Sequence, residues 1–220
     1  MDPPAALITG GDGDLARAIR RHLEAEGWRV VAPGRAALDV TSSRSVSNYF
    51  TGLPSLDLLV NNAGVRRDAL LHQQNGEEAA EVIDVNLRGT FLCSRAAAGI
   101  MIPQGFGHIV NIGSHSALTG PAGQTAYAAA KAGVAALTKS MAAEWGSANL
   151  RVNCVLPGWL ETKFTRGVPA AARARALEGQ ALRRFNTIED TARFIAFLHS
   201  MTAVSGQIFL LYSRLTRSDL

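Results

Sequence analysis

Cysteine is scarce in this chain. Two stand among 220 residues, Cys93 and Cys154, far apart in sequence. That spacing excludes a disulfide scaffold and offers no metal-ligand pattern, so two free thiols in a reducing compartment are expected and no metal site. No apolar run approaches the roughly 18 residues that cross a bilayer. Residues 1–5 lead almost directly into an apolar strand, so no signal peptide is expected. Dense basic runs are missing too: 22 Lys and Arg against 18 Asp and Glu leave a net charge of +4 without a cluster. That argues against nucleic acid and only weakly favours acidic partners. Low-complexity tracts and internal repeats are absent. The expectation is a cytoplasmic protein with no membrane and no nucleic-acid partner.

What is there is a globular composition, 47% apolar and 18% charged, in a chain long enough for one full core. Short β-branched runs at 6–9, 29–32, 56–60, 108–112, 152–156 and 208–211 read as buried strands. Leu15, Ala18, Ile19, His22 and Leu23 follow the i, i+3, i+4, i+7, i+8 spacing of one helix face. Further helices are expected at 77–86 running on to 98, 125–145, 170–182 and 188–199. Alternating strands and helices predict an α/β fold: a Rossmann-like, doubly wound parallel sheet in a three-layer sandwich. Only six residues separate Ala32 from Asp39, too few for a parallel crossover. The second crossover is therefore shortened, without its usual helix, and a separate third strand there is doubtful. No linker divides the chain, so 1–220 is expected to be a single domain.

The first strand runs into Thr9-Gly10-Gly11-Asp12-Gly13-Asp14-Leu15-Ala16 and then a helix. Glycines let the backbone approach a pyrophosphate, and a helix N-terminus offers free N–H groups and a favourable dipole. Gly11, Gly13 and Ala16 also fit G-x-G-x-x-A. The alternative is a plain tight turn. Asp12 and Asp14 are awkward beside phosphate; they must point away, cap the helix or meet ribose hydroxyls. At the end of the second strand, Gly34 supplies no carboxylate for a ribose 2′-hydroxyl while Arg35 supplies a cation, which favours NADPH over NADH. The competing reading of Arg35 is a solvated surface charge.

Ser114, Tyr127 and Lys131 carry the most information. Tyr127 and Lys131 stand at i and i+4 of an alanine-rich helix and share a face. An ammonium near a phenol stabilises the phenolate and lowers a pKa that is ordinarily near 10, toward the range useful for general acid–base work. Ser114 follows a strand, so its hydroxyl is expected at the C-terminal edge of the sheet, where such folds bind ligands. Tyr-x-x-x-Lys alone is common by chance; its weight comes from company with the glycine turn and the strand-end serine.

With Thr9-Gly10-Gly11, Asn61-Asn62-Ala63-Gly64, Asp84-Val85-Asn86-Leu87, Ser114, Tyr127 with Lys131, and Pro157-Gly158 before Glu161-Thr162, the chain resembles a short-chain dehydrogenase/reductase from about Ala5 to Gln207. The resemblance implies catalytic roles for Asn86, Ser114, Tyr127 and Lys131. Tyr127 would protonate the nascent alkoxide, Lys131 would lower its pKa and bond the nicotinamide ribose, Ser114 would orient the carbonyl, and Asn86 would hold a relay water. It implies cofactor contacts from Thr9, Gly10, Gly11, Asp12, Gly13, Asp14, Leu15, Arg35, Asp39, Val40, Asn62, Ala63, Gly64, Tyr127, Lys131, Pro157, Gly158, Leu160 and Thr162. The cofactor is expected to be NADP (NADPH), with NAD as the alternative, and residues 163–182 a substrate lid. Asn62 and Asn86 also admit a purely structural reading, as satisfiers of buried backbone groups. His115 reads as surface or pocket lining, and Trp159 as either pocket lining or packing under the lid.

Within that family the run Asn61 to Leu71, with Ile112-Gly113-Ser114, Gly123-Gln124 and Tyr127 to Gly133, is similar to bacterial 3-oxoacyl-[acyl-carrier-protein] reductases. This implies a 3-ketoacyl thioester on acyl carrier protein as substrate and a homotetramer. Carrier proteins are acidic, so Arg166, Arg173 and Arg175 near the lid suit such a partner. The alternatives are an alcohol, sugar or polyketide oxidoreductase of the same family, and a non-catalytic dinucleotide-binding regulator. The chain departs from the family pattern at Asp14 and Ala16, where glycines are usual. It departs again at Tyr212-Ser213-Arg214, where the last strand often ends in Asp-Gly-Gly.

Overall fold

The computed structural model describes residues 2–214. In chain order its main elements are β1 (Ala5–Ile8), α1 (Asp14–Ala25), β2 (Arg29–Val31), α2 (Ser43–Thr51), β3 (Leu58–Asn61), α3 (Gly76–Ile83), α4 (Gly89–Gln104) and β4 (Gly107–Ile112). They continue with α5 (Ser116–Thr119), α6 (Thr125–Trp145), β5 (Leu150–Leu156), α7 (Ala170–Glu178), α8 (Ile188–Ser200) and β6 (Ile208–Leu210). The described strands form one parallel sheet in the order β2-β1-β3-β4-β5-β6. Successive side chains of a strand face opposite sides. Accordingly Leu58 and Val60 pack with Ile19, Leu23, Ile195 and Leu198 of α1 and α8. Leu59, between them, joins Phe50, Leu92, Met101 and Met141 of α2, α4 and α6 on the other face. The doubly wound, three-layer α/β expectation is met. No helix among the described residues is long and apolar enough to cross a membrane. Both cysteines are free and buried.

The chain winds out from β1 only as far as β2, which forms the sheet edge. After Ala32 it closes a turn instead of building a helix, with the N–H groups of Ala37 and Leu38 donating to Gly34 O at 3.1 and 3.0 Å. The shortened crossover is as expected. A helix the sequence did not announce follows it: α2, capped by Ser42 Oγ accepting from Ser45 N at 3.2 Å. Only Val46 and Phe50 of this serine-rich stretch are buried, so its apolar period is faint.

Other boundaries differ too, and α4 runs on to Gln104, six residues past the expected end. The helix expected to run unbroken from 77 to 98 is interrupted by a π turn at Asp84–Arg88. Asn86 causes a local rerouting there: its Nδ2 donates to Val82 O at 2.9 Å and to Val65 O at 2.7 Å. Thr90 Oγ1 then caps the Asn86 carbonyl at 2.8 Å. Helix α7 stops at Glu178, four residues before the expected end, with Gly179 at its C-cap.

A buried polar ladder ties the layers together. Asn61 Nδ2 donates to Ser94 Oγ at 2.9 Å and to Asn111 Oδ1 at 2.8 Å, and Asn111 Nδ2 donates to Thr138 Oγ1 at 2.9 Å. These bonds fix α4 and α6 against the C-terminal ends of β3 and β4. Tyr127 and Lys131 are thereby delivered to the sheet edge.

Candidate active site

A cleft of about 1120 Å³ opens along the C-terminal ends of the strands. One end is formed by the turn after β1. Gly10 adopts φ +68°, and a Cβ there would stand 2.8 Å from Ala63 Cα. At Gly11 a Cβ would overlap the Ala32 carbonyl oxygen, and its N–H donates to Pro33 O at 2.9 Å. The two glycines therefore wedge between the ends of β2 and β3, where only a bare backbone fits. Gly13 is the N-cap of α1 and makes no side-chain cap, leaving the first N–H groups of the helix free to bind an anion.

The acids of this turn are accounted for individually. Asp12 lies over Gly34, leaving no space for a side chain at 34. Asp14, in the first turn of α1, turns toward the segment after β5, where its Oδ2 accepts from Lys163 N at 2.7 Å. Asp39 binds Thr41 through its N–H and hydroxyl at 3.0 and 2.7 Å, bonds that hold its carboxyl below the usual range. Arg35 is largely exposed and only 3.9 Å from Glu81.

Of the residues the sequence assigned to the cofactor, Thr9 and Gly11 do not line the cleft; the others do. Thr9 is buried, and its Oγ1 accepts from the N–H groups of Asn62 and Ala63, both at 3.0 Å. Asn62 Nδ2 returns a bond to Thr9 O at 3.0 Å. Thr9 and Gly11 thus shape the wall from behind.

The other end holds Ser114, Tyr127, Lys131 and Asn86 around one space. Lys131 is buried and its Nζ donates to Ile112 O at 2.7 Å. Loss of solvation lowers its pKa to about 8. The ammonium lies 5.8 Å from the centre of the Tyr127 ring. The expected acidification of the phenol does not emerge. Desolvation pushes Tyr127 up to about 12, opposed by Ser114 and by the charge of Arg66 rather than by Lys131. The lysine, one turn along, spends its charge on the β4 carbonyl. Asn86 Oδ1 is buried with no hydrogen-bond partner and faces Gly64, where a Cβ would come within 2.9 Å of it.

A polar wall the sequence did not reveal continues from Ser114. Ser116 N donates to Ser114 Oγ at 3.2 Å, Ser116 Oγ to Gln124 Oε1 at 2.7 Å, and Gln124 Nε2 to Asp68 Oδ2 at 3.1 Å. Arg66, 3.7 Å from Asp68, also lies 5.4 Å from the ring centre of Phe164, which faces Tyr127. Trp159 lines the cleft, as one of its two readings had it, and stacks on Phe185, beyond residues 163–182, with ring centres 5.4 Å apart. His115, Tyr212 and Arg214 line the same end. Their side chains meet only through tertiary structure, so no local spacing marks them.

This constellation on a doubly wound sheet agrees with the comparisons. A family model described as enoyl-(acyl carrier protein) reductase matches residues 9–211, and the chain belongs to the short-chain dehydrogenase/reductase family. It is similar to the 3-oxoacyl-[acyl-carrier-protein] reductase FabG of Thermotoga maritima, at 45% identity with 94% of this chain and 96% of that one covered. The FabG of Chlamydia trachomatis is 36% identical over 91% of this chain and 83% of its own, and the MabA reductase of Mycobacterium avium is 34% identical over 90% and 84%. Among solved structures, levodione reductase superposes with a TM-score of 0.85 at 27% identity, covering 96% of both chains. A nicotinamide dinucleotide, which the family implies, fits the residues present. The glycine turn admits close backbone approach, α1 presents open N–H groups, and Asn86 keeps an unsatisfied oxygen at the reactive end.

Proposed function

We propose that the protein reduces a 3-ketoacyl thioester carried on acyl carrier protein to the 3-hydroxyacyl form, using NADPH. The observation that carries this reading is the convergence of Ser114, Tyr127 and Lys131 on the cleft that begins at the glycine turn. The identity of 45% to a reductase named for that reaction gives the substrate class. When bound, the nicotinamide supplies hydride to the carbonyl carbon. The protein's part is to hold the carbonyl and deliver a proton.

Tyr127 suits that part because its phenol, raised to about 12, keeps its proton at neutral pH. It is poised as a donor, the protonation state that carbonyl reduction needs. Ser114 holds the substrate oxygen beside it. Lys131 binds the nicotinamide ribose with N–H bonds beyond the one given to Ile112, and Asn86 Oδ1 accepts from a water that returns protons toward Lys131. Arg35, largely exposed at the edge of the cleft, exchanges its loose contact with Glu81 for the adenosine 2′-phosphate. Residues 163–182 form a lid, and 1–220 is one catalytic domain. The acidic carrier protein docks on Arg166, Arg173 and Arg175. A soluble homotetramer in the cytoplasm completes the reading.

The test is an absorbance assay of NADPH oxidation with acetoacetyl-acyl carrier protein. Steady turnover, faster with NADPH than with NADH, is expected. No turnover of the thioester with either cofactor overturns the assignment.

A further inference from the structure

The substrate end of the cleft carries a cation that reductive chemistry does not require. Arg214, just beyond β6, lines the cleft, and its Nη1 meets His115 Nε2 at 2.8 Å. A guanidinium can only donate, so Nε2 accepts and the ring is neutral with its proton on Nδ1. That proton points to Tyr212 Oη at 3.0 Å. His115 therefore orients the guanidinium without neutralising it. No carboxylate among the described residues lies within ion-pair distance of Arg214, although Arg66 beside the same space has Asp68. Arg175 of α7 also lines the cleft without a carboxylate partner among the described residues.

The arginine is held in place by the backbone around it. Ala181 N donates to Ser213 O at 2.9 Å, Ser213 N to Gln180 Oε1 at 3.1 Å, and Leu182 N to Ser213 Oγ at 3.1 Å. This strap joins the segment after β6 to the residues following α7, and the guanidinium packs over Gly179. A fixed, planar fork that meets no carboxylate among the described residues is shaped to recognise one bidentately. An alkyl tail laid there would desolvate the cation and return nothing. His115 is the chain neighbour of Ser114 and lines the same cleft as Tyr127, so an anion bound at Arg214 belongs to the substrate space.

We propose that Arg214 is a specificity-determining residue and that the preferred substrate is a 3-ketoacyl thioester whose acyl chain bears a carboxylate. This rests on the reductase reading above, and the experiment separates the two. Turnover is compared for a 3-oxohexanoyl thioester and its ω-carboxylated counterpart, a 3-oxoadipyl thioester, in the wild type, Arg214→Met and Arg214→Lys. The wild type is expected to favour the carboxylated substrate about tenfold or more in kcat/KM, the effect of one charge-assisted hydrogen-bonded pair. Arg214→Met should abolish the preference, and Arg214→Lys, which keeps the charge but not the fork, should retain part of it. Should Arg214→Met fail to fold, a reduced preference in Arg214→Lys supports the proposal and an unaltered one overturns it. No preference in the wild type, or a preference indifferent to residue 214, also overturns it. Glutarate supplies a readout that needs no turnover: it should raise the melting temperature of the wild type but not of Arg214→Met. If neither thioester is reduced while glutarate still stabilises only the wild type, the reductase reading fails and the anion site stands. If glutarate shifts neither protein, the site falls.

Discussion

Protonating one partly buried histidine should make this protein markedly less stable in mild acid. His199, at the end of α8, packs edge-on against Trp28 with ring centres 4.7 Å apart and lies 5.7 Å from His108. Burial, with the cation of Arg151 second, lowers its pKa from 6.5 to about 4. His108 is displaced the same way, by burial and by the charges of Arg151 and His199. The Nδ1 atoms of both rings are buried without a partner. A base whose folded pKa is depressed binds its proton more readily once unfolded. Its contribution is therefore complete above pH 6.5 and is lost as pH falls toward 4. At pH 5 the unfolded imidazole is mostly protonated and the folded one mostly neutral, a difference of about 2 kcal/mol from His199 alone. The ring is partly exposed and solvent trims the effect, so about 1 to 2 kcal/mol is expected. Urea unfolding at pH 7.5 and pH 5, followed by tryptophan fluorescence, measures it. The His199→Phe variant keeps a ring against Trp28 and removes the titration. Comparing the two pH values within each protein cancels any constant packing change. An equal acid-induced loss in wild type and variant would refute the reasoning.

Three further outcomes are expected. Tyr127→Phe should lower kcat by about 10²- to 10⁴-fold, the usual worth of a positioned proton donor, while cofactor affinity measured by calorimetry stays near wild type. Gly10→Ala forces a side chain into φ +68° and 2.8 Å from Ala63 Cα, so it should lower stability by about 1–3 kcal/mol and weaken cofactor binding. A melting curve and a cofactor titration check both. Arg35→Ala should reduce the NADPH-over-NADH preference in kcat/KM about tenfold, the loss of one charge-assisted contact.

Much of the architecture was legible because each signal was local. Short apolar runs mark strands such as β3, read at 56–60 and observed at Leu58–Asn61, and the short interval from Ala32 to Asp39 fixes where the winding stops. The glycine turn and the Tyr127–Lys131 spacing were readable for the same reason, since neighbours along one element meet by geometry alone. Direction and partnership were not. Nothing near Lys131 in sequence shows that its ammonium bonds Ile112 O rather than facing Tyr127, because that choice depends on how α6 seats over β4. Nor does spacing bring His115 to Arg214, 99 positions later. Helix α2 escaped notice because two apolar residues in a serine-rich segment hardly define a face, although Ser42 offered a cap.

The π turn at Asp84–Arg88 has a genetic corollary. Relative to regular coil geometry it holds a surplus residue, and Asn86 reaches the cleft because of that surplus. Chain length therefore encodes its placement as firmly as residue type does. Dropping the codon of a neighbour of Asn86 in this stretch should rewind the backbone into an ordinary helix and swing the amide away, with every side chain of the reactive group still present. A reading frame that still encodes Asn86, Ser114, Tyr127 and Lys131 can lose its chemistry through such a deletion alone.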